Sequence, residues 1–418
     1  MKRLECLDGL RGVLAMYVVL GHAAPFAMLP DWLQSAVGHG GAAVDMFFIL
    51  SGLVISQSLD RVQGHRRRFL LARVLRIYPV FLPVFALAVA VQPLSCGFGA
   101  MPWIGADSAA RDICSDHWQQ PWPAEISAHL LMIHGLFPRW LLPDVWVSFL
   151  GAAWSLSTEW QFYVLAMLAW RPGTAHEGTA EGTAHEGMTR NPTPQHGQRT
   201  IMLLLLLAAA GLAWQAWSPT AWTFSRAFLP NKAHFFALGV ASLAVVRQGR
   251  RGLPGYATVL AATLTVCAAQ GQGGKLLPPL VWSACLAAQC LPAAPLTHSG
   301  LSLVRRALQG RVALWFGAIS YPVYLANEPI QKILSPALGS IAAGDAILFS
   351  LLWLPAAIGL PVLAASWLHR HIELPAMRRG RHRFDPGRDS AGQPARPAIA
   401  APAGADARAS VQRVMRGL

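Results

Sequence analysis

Charged residues are scarce in this chain of 418 residues. Only 13% are Asp, Glu, Lys or Arg, while 54% are hydrophobic; soluble domains are about one quarter charged. The 20 acidic residues stand against 34 Lys and Arg, a formal net charge of +14. Such a charge favours nucleic acid as a partner when the rest of a chain is polar, but so little polar surface excludes a soluble protein. We therefore predict an integral membrane protein that partners the lipid bilayer and no nucleic acid, with its basic residues in the loops.

Cysteine motifs are also missing. The six cysteines contain no CxxC pair and are spread too widely for a zinc site, so we predict no metal centre. Cys96 and Cys114 alone share a loop, and the sequence leaves open whether they are bridged. The first apolar run contains Asp8 and Arg11 and has no clear cleavage site, so we expect it to be retained as a span.

Apolar runs close to the roughly 20 residues that cross a bilayer recur along the chain. Basic residues concentrate in alternate loops, which predicts about ten spans with both termini in the cytoplasm. Ile126 to Trp140 is interrupted by Pro138, and an eleventh crossing there would place every later basic loop on the wrong side. We therefore expect this stretch to be interfacial or re-entrant. The fold class is an all-α integral membrane bundle with transmembrane helices near residues 10–29, 42–59, 74–92, 152–170, 200–217, 233–247, 253–270, 277–292, 312–330 and 346–368.

Composition divides the chain into four parts. Residues 1–170 hold four spans, and residues 171–199 read as a flexible cytoplasmic linker with an imperfect GTAHEG repeat. Residues 200–375 hold the other six spans. Residues 376–418 are rich in Ala, Pro, Gly and Arg without apolar periodicity, which predicts a disordered basic tail.

Two ionisable residues of the first span share one helix face. Arg11 and His22 are eleven residues apart, about 20° more than three whole turns, and roughly 16 Å along the axis. A buried imidazole is a candidate general base. Asp45, in VDMFFILSG, should lie at a similar depth on the second span, where its carboxylate would orient His22. The alternative is that Asp45 only caps its helix and His22 only bonds a carbonyl.

The motif RVLRIYP places Arg73 and Arg76 at the mouth of the third span. Paired guanidinium groups match the oxygens of a phosphate-rich ligand. A positive-inside anchor is the alternative, and it explains Arg76 less well.

Further polar residues interrupt later spans. In WSLSTEWQFY, Ser155, Glu159 and Tyr163 form a stripe at four-residue spacing, and Glu159 requires an arginine or a substrate hydroxyl as partner. ISYPVYLANEP adds Tyr324, Asn327 and Glu328. Polar groups in a bilayer are costly and usually face a functional cavity.

These motifs, with HIELP near the end, resemble in order and spacing the membrane-bound acyltransferase 3 family. The resemblance runs from Leu7 to about Pro375. It implies a bacterial inner-membrane enzyme that moves an acyl group, commonly acetyl, from cytoplasmic acyl-CoA to a hydroxyl of an extracytoplasmic saccharide or glycolipid. It implies no bound cofactor, since acyl-CoA is a substrate.

The residues that the family ties to activity correspond here to Arg11, His22, Arg73 and Arg76. The chain departs from the family pattern at Trp160, where a second Glu is usual, and at Asn327, where a His is usual.

The resulting hypothesis has two halves joined by one channel. Acyl-CoA docks on Arg73 and Arg76 with help from Arg11, and the thioester reaches His22, which Asp45 or Glu159 supports. Ion-coupled transport is the alternative from another class, and an inactive scaffold is a third. The remaining residues assigned to substrate contact or support are Ser155, Tyr163, Tyr324, Asn327 and Glu328.

Overall fold

A computed structural model of the chain describes residues 4–63, 65–114, 121–170, 195–218, 222–271, 273–290 and 300–384. Over these ranges the chain is helical and contains no strand, only an isolated bridge between Pro138 and Phe224. The chain divides into two compact units, the first ending at Met377 and the second beginning at Arg378. In the second unit the structure describes residues up to 384, and these are helical. The helices are α1 (Glu5–Ala23), α2 (Asp31–Val37), α3 (Gly40–Arg61), α4 (Arg66–Val91), α5 (Ala109–Ile113), α6 (Trp122–Leu130), α7 (Trp154–Ala169), α8 (Gln195–Trp217), α9 (Ala233–Gln248), α10 (Leu253–Ala269), α11 (Leu277–Cys290), α12 (Gly300–Leu308), α13 (Arg311–Ala342), α14 (Ala346–Leu368) and α15 (Leu374–Phe384).

The all-helical class is confirmed, and each predicted span overlaps a helix. The first helix begins and ends earlier than predicted. It ends at Ala23 because Pro25 lacks the N–H that would continue α1, and the chain tightens into a 3₁₀ turn. The count of ten spans and the placement of the termini stay predictions. By length and composition, six stretches of the described residues could cross a membrane: Glu5–Phe26, Asp31–Arg61, Arg66–Val91, Gly197–Trp217, Ala233–Ala269 and Ala346–Gly380.

The predicted linker and tail lie mostly outside the described residues. Residues 195–199 of the linker already belong to α8, and residues 376–384 of the tail belong to α15. The helical part of the chain is therefore longer at both places than composition predicted.

The stretch from Ile126 to Trp140 is not one crossing helix. Helix α6 ends at Leu130, and Met132 adopts a left-handed conformation with φ 57° that turns the chain. The Tyr78 hydroxyl, halfway along α4, donates to the Leu130 carbonyl at 2.9 Å. The segment is therefore a short helix followed by a turn that contacts the middle of α4, and its interfacial or re-entrant position stays a prediction.

Helices α3 and α9 run parallel and in register. The ion pair of Asp45 with Lys232 lies at one end, and Asp60 with Arg247, 2.7 Å apart, lies at the other. Between them Gly52 touches Gly239 so closely that a Cβ on either glycine would collide with the opposite backbone. The two residues of each ion pair are 187 positions apart in the sequence, so the helices keep the same register over their whole length. The two ion pairs mark the two ends of the bundle. We call the Asp45 end distal and the Asp60 end proximal.

Helices α1 and α13 also run parallel at close range. A Cβ on Gly12 would lie 2.5 Å from the backbone nitrogen of Gly317. Small residues let two helix backbones approach in this way. The contact brings the face of α1 that carries His22 against the middle of α13.

Cys96 and Cys114 are joined by a disulfide. Beside it, the Ser335 hydroxyl of α13 donates to the Cys96 carbonyl at 2.8 Å. The bridge therefore ties the loop after α4 down beside α13.

Replacing Cys96 with Ser should lower the free energy of unfolding by about 3 kcal/mol, because the bridge closes a loop of 18 residues whose entropy is restored in the unfolded chain. Thermal unfolding of the purified protein in detergent measures the change. Cys290→Ser, at an exposed free cysteine, is the control and should unfold like the wild type. Equal stability of both variants would show that the bridge contributes nothing.

Candidate functional site

A cavity of about 150 Å³ lies between α1, α3, α4, α7 and α13. Its outline combines cationic, hydroxyl and aromatic groups. Seven of the residues predicted for the site line it: Arg11, Arg73, Arg76, Ser155, Glu159, Tyr163 and Tyr324. The structure therefore brings together the arginine motif, the α7 stripe and part of the α13 motif.

The three arginines of the cavity differ in their partners. Arg76 forms an ion pair with the fully buried Glu373. The Arg73 Nη2 donates to the Ser58 hydroxyl at 3.2 Å, and its buried Nε has no partner. Arg11 makes no hydrogen bond or ion pair with any residue that the structure describes. Two guanidinium groups thus keep donors available for an anionic ligand, whereas Arg76 is held in place by the protein.

Glu373 owes its position to a local change in helix geometry. The last turn of α14 continues as a π-helix over His369–Glu373, a distortion that is frequent at functional sites. The Glu373 carboxylate contacts both Arg76 and the ring of His369.

Glu159 accepts a hydrogen bond from the hydroxyl of Ser51. The partner expected from the sequence was an arginine or a substrate hydroxyl, but the structure supplies a hydroxyl of α3. The carboxylate still lines the cavity with Arg11 and Arg73, so it partly offsets their charge.

His22 lies distal to the cavity and pairs with Asn327. The Asn327 amide nitrogen donates to the carbonyls of Val323 and Tyr324, at 3.3 and 2.6 Å, so its oxygen must face His22. That oxygen lies 2.8 Å from the His22 Nδ1. Since an amide oxygen can only accept, Nδ1 of the neutral ring carries the proton and Nε2 has a free lone pair.

A carboxylate stands next to the same imidazole nitrogen. The Glu328 Oε1 is 3.7 Å from the His22 Nδ1, and its Oε2 accepts from the backbone N–H of Ala152 at 2.9 Å. Glu328 can therefore stabilise a positive charge on His22 without itself moving. Both side chains are partly exposed, at 23% and 16%, so the site is accessible.

The expectation that Asp45 orients His22 is wrong. The Asp45 Oδ1 lies 2.6 Å from the Lys232 Nζ, because α9 packs in register on α3 and a buried carboxylate requires a cation. The orienting positions beside His22 belong to Asn327 and Glu328.

The cavity that contains Arg11 does not reach His22, so the channel expected between these two residues is not seen within this cavity. The cavity lining includes Tyr324 and Ser155 but not His22. The Tyr324 hydroxyl lies 3.0 Å from the Ser155 hydroxyl and donates to the Ala152 carbonyl at 3.1 Å. Both side chains line the cavity, and Tyr324 stands one turn before Asn327 and Glu328, the residues of α13 that lie beside His22.

Three residues of this region were not assigned from the sequence. Glu373 is the carboxylate of the HIELP motif. A single carboxylate among basic residues at the end of a span is the signal that could have predicted its role. Lys232 stands just before the predicted span at 233–247, where a lysine is read simply as a loop cation. Ser51 carried no signal, since a serine in an apolar helix is common.

Comparison with known proteins decides the family. The model of the acyltransferase 3 family, described as an acyltransferase domain, matches residues 4–371. The chain belongs to this family. Acyltransferase MdmB of Streptomyces mycarofaciens is 25% identical over 407 residues, which cover 90% of this chain and 92% of the relative. An O-acetyl transferase of Shigella phage Sf6 is 27% identical over 170 residues, 40% of this chain and 46% of the relative. No solved structure matches.

The resemblance read from the motifs is thus confirmed, and this acyltransferase is an enzyme that transfers acyl groups. Membership favours that activity over ion-coupled transport. The helical, apolar chain of such a family is a multi-pass membrane protein.

Proposed function

We propose that this acyltransferase takes an acyl group, commonly acetyl, from acyl-CoA at the proximal end and transfers it to a hydroxyl of a saccharide or glycolipid at the distal end. The observation that carries the proposal is the orientation of His22 by Asn327, which leaves the Nε2 lone pair free to accept a proton. The printed name of one relative, an O-acetyl transferase, supports a hydroxyl as acceptor.

The donor phosphates bind Arg11 and Arg73 in this proposal. Both guanidinium groups lack a carboxylate partner among the described residues, and together they outweigh Glu159 in the cavity. Arg76, which is held by the ion pair with Glu373, forms part of the cavity wall instead of binding phosphate. A volume of about 150 Å³ is too small for a whole acyl-CoA molecule, so the adenosine of the donor stays outside the cavity.

The chemistry needs one proton transfer and one bond exchange. The His22 Nε2 takes the proton of the acceptor hydroxyl while the hydroxyl oxygen attacks the carbonyl carbon of the thioester. The C–O bond forms, the C–S bond breaks, and the departing thiolate takes the proton from the imidazolium. Glu328, 3.7 Å from Nδ1, stabilises the imidazolium in between. A route in which His22 first accepts the acyl group uses the same nitrogen.

The acyl group has to pass the pair formed by Tyr324 and Ser155. Their hydroxyl oxygens lie 3.0 Å apart, and Tyr324 is on α13, the helix that also carries Asn327 and Glu328 beside His22. A rotation of the Tyr324 ring would connect the two regions. The donor is thereby kept from reacting before the acceptor has arrived.

We place the proximal end in the cytoplasm of a bacterial inner membrane. Arg61 and Arg66 lie at that end, in agreement with the positive-inside rule. The disulfide of Cys96 lies in the loop at the other end of α4, and disulfides persist in oxidising compartments.

The direct test compares the surface glycans of cells with and without the gene by mass spectrometry. Loss of an acetyl mass on deletion, restored by the wild-type gene, supports the proposal. Unchanged glycans and unchanged acyl transfer from labelled acetyl-CoA in membrane vesicles would refute it.

Arg73→Ala should raise the KM for acyl-CoA about tenfold or more with a smaller change in kcat, because a charge-assisted hydrogen bond contributes about 1.5–3 kcal/mol. Initial rates over a range of acetyl-CoA concentrations measure it. Arg68→Ala, at an exposed arginine outside the cavity, is the matched control. An unchanged KM in Arg73→Ala would contradict the phosphate-binding role.

A further inference from the structure

Three cations gather at the distal end around one carboxylate. We call Arg226, Lys232 and Lys275 the distal cation cluster. Lys232 pairs with Asp45, and the Lys275 Nζ donates to the Gln270 amide oxygen at 2.8 Å. Arg226 is exposed and forms no ion pair with any described carboxylate. The cluster therefore carries an excess of positive charge.

Aromatic rings hold the cations in place. The Arg226 guanidinium lies 4.9 Å from the ring centroid of Trp146 and 5.9 Å from that of Trp154, and the Lys232 Nζ lies 5.9 Å from that of Trp154. A guanidinium stacked on an indole keeps its N–H edge free. Arg226 is thus fixed in orientation with its donors unused.

Trp154 also connects the cluster to the His22 site. It begins α7, one turn after Gly151, where a Cβ would lie 2.8 Å from the Glu328 carboxylate. Glu328 in turn lies beside His22. One turn of chain thus carries contacts to both sites, so the cluster and the His22 site are neighbours.

Among the residues that the structure describes, Asp45 is the only carboxylate that forms an ion pair with the cluster. Desolvation and the nearby ammonium of Lys232 lower the pKa of Lys275, Asp45 partly offsets this, and Arg226 adds to the lowering. Like charges brought together at a cost usually serve a ligand of opposite charge. Cations are also uncommon in loops on the far side of a membrane from the cytoplasm.

We propose that the distal cation cluster binds an acidic group of the acceptor, so that the acceptor is an anionic saccharide with a carboxylate or phosphate. Arg226 contacts the anion with its free N–H edge, and the exposed part of Trp146 stacks on a sugar ring. The inference rests on the proposed function, because the bound saccharide then presents a neighbouring hydroxyl to His22.

Saccharide binding to the purified full chain in nanodiscs of phosphatidylcholine, without acyl-CoA, tests the proposal. The probes are a galacturonate trimer and neutral maltotriose. We expect the acidic trimer to bind at least about tenfold more tightly, and Arg226→Gln to remove that preference. Arg111→Gln is the matched control, since Arg111 also lies over a ring, that of Phe98 at 4.7 Å, but donates to backbone carbonyls.

Equal affinity for both trimers, or an acidic preference that survives Arg226→Gln, would overturn the inference. A repeat of the measurement in nanodiscs with phosphatidylglycerol distinguishes a lipid phosphate from a saccharide acid as the ligand. If the acidic trimer no longer binds there, and phosphatidylglycerol binding depends on Arg226, the cluster binds lipid and the inference is overturned. Because binding is measured without a donor, an acidic preference with no acyl transfer would count against the proposed function alone. Transfer without an acidic preference would count against this inference alone.

Discussion

His22→Ala should reduce acyl transfer by about 10²- to 10⁴-fold, the contribution typical of a positioned general base. Loss of the imidazole removes the Nε2 that accepts the hydroxyl proton, while Asn327 and Glu328 keep their other bonds to backbone. The protein should still insert in the membrane, since His22 is partly exposed and contributes little packing. The rate of transfer from labelled acetyl-CoA to surface glycan in membrane vesicles measures the effect.

A second histidine provides the control. His39 is exposed near the distal start of α3 and makes no contact with the site, so His39→Ala should transfer at the wild-type rate. If His22→Ala, present at wild-type levels in the membrane, also transferred within twofold of the wild type, His22 would not be the base.

Asn327→Leu should lower the rate of transfer by about 10- to 100-fold without preventing insertion. Leucine has a similar size but no oxygen. The His22 Nδ1 therefore loses the acceptor that selects the neutral tautomer with the proton on Nδ1. Leaving a buried polar group without its partner costs about 1–3 kcal/mol, and here part of that cost falls on the reactive ring. The same vesicle assay reports the loss in kcat.

Asn327→His is the rescue variant, because a ring nitrogen can accept from the His22 Nδ1 as the amide oxygen does, and histidine is the residue that the family resemblance implies at this position. It should retain more activity than Asn327→Leu. Equal losses in both variants, with equal protein levels, would mean that Asn327 only fills space and that tautomer selection is not its role.

We therefore expect the Asn327 departure from the family pattern to preserve the role of this position. The structure places an amide oxygen where the family usually has an imidazole, and either group can accept from the His22 Nδ1. By contrast, Arg73 and Arg76 looked equivalent in the sequence, yet only Arg76 meets a carboxylate, Glu373. The two arginines should therefore differ in their effect on donor binding.

The amino-acid sequence by itself determined which segments are helical, which of them are apolar enough for a bilayer, and which polar residues stand out within them. Local chemistry suffices for this: hydropathy selects the helices, Pro138 and its neighbours exclude a long helix there, and motif order identifies the family. The sequence predicts that Arg11 and Arg73 act together, and both line one cavity. Glu159, which the sequence predicts as a support for His22, lines that cavity too and bonds to Ser51.

Only the tertiary structure decided which polar groups meet. His22 pairs with Asn327 across 305 residues and Arg76 with Glu373 across 297, while Asp45 turns away from His22 to Lys232. Helices in a bilayer are chosen as neighbours by close packing rather than by hydrophobicity, through contacts such as those of Gly12 and Gly52. The apolar periodicity that makes each helix is nearly the same for all of them, so it contains no information about which helix lies beside which.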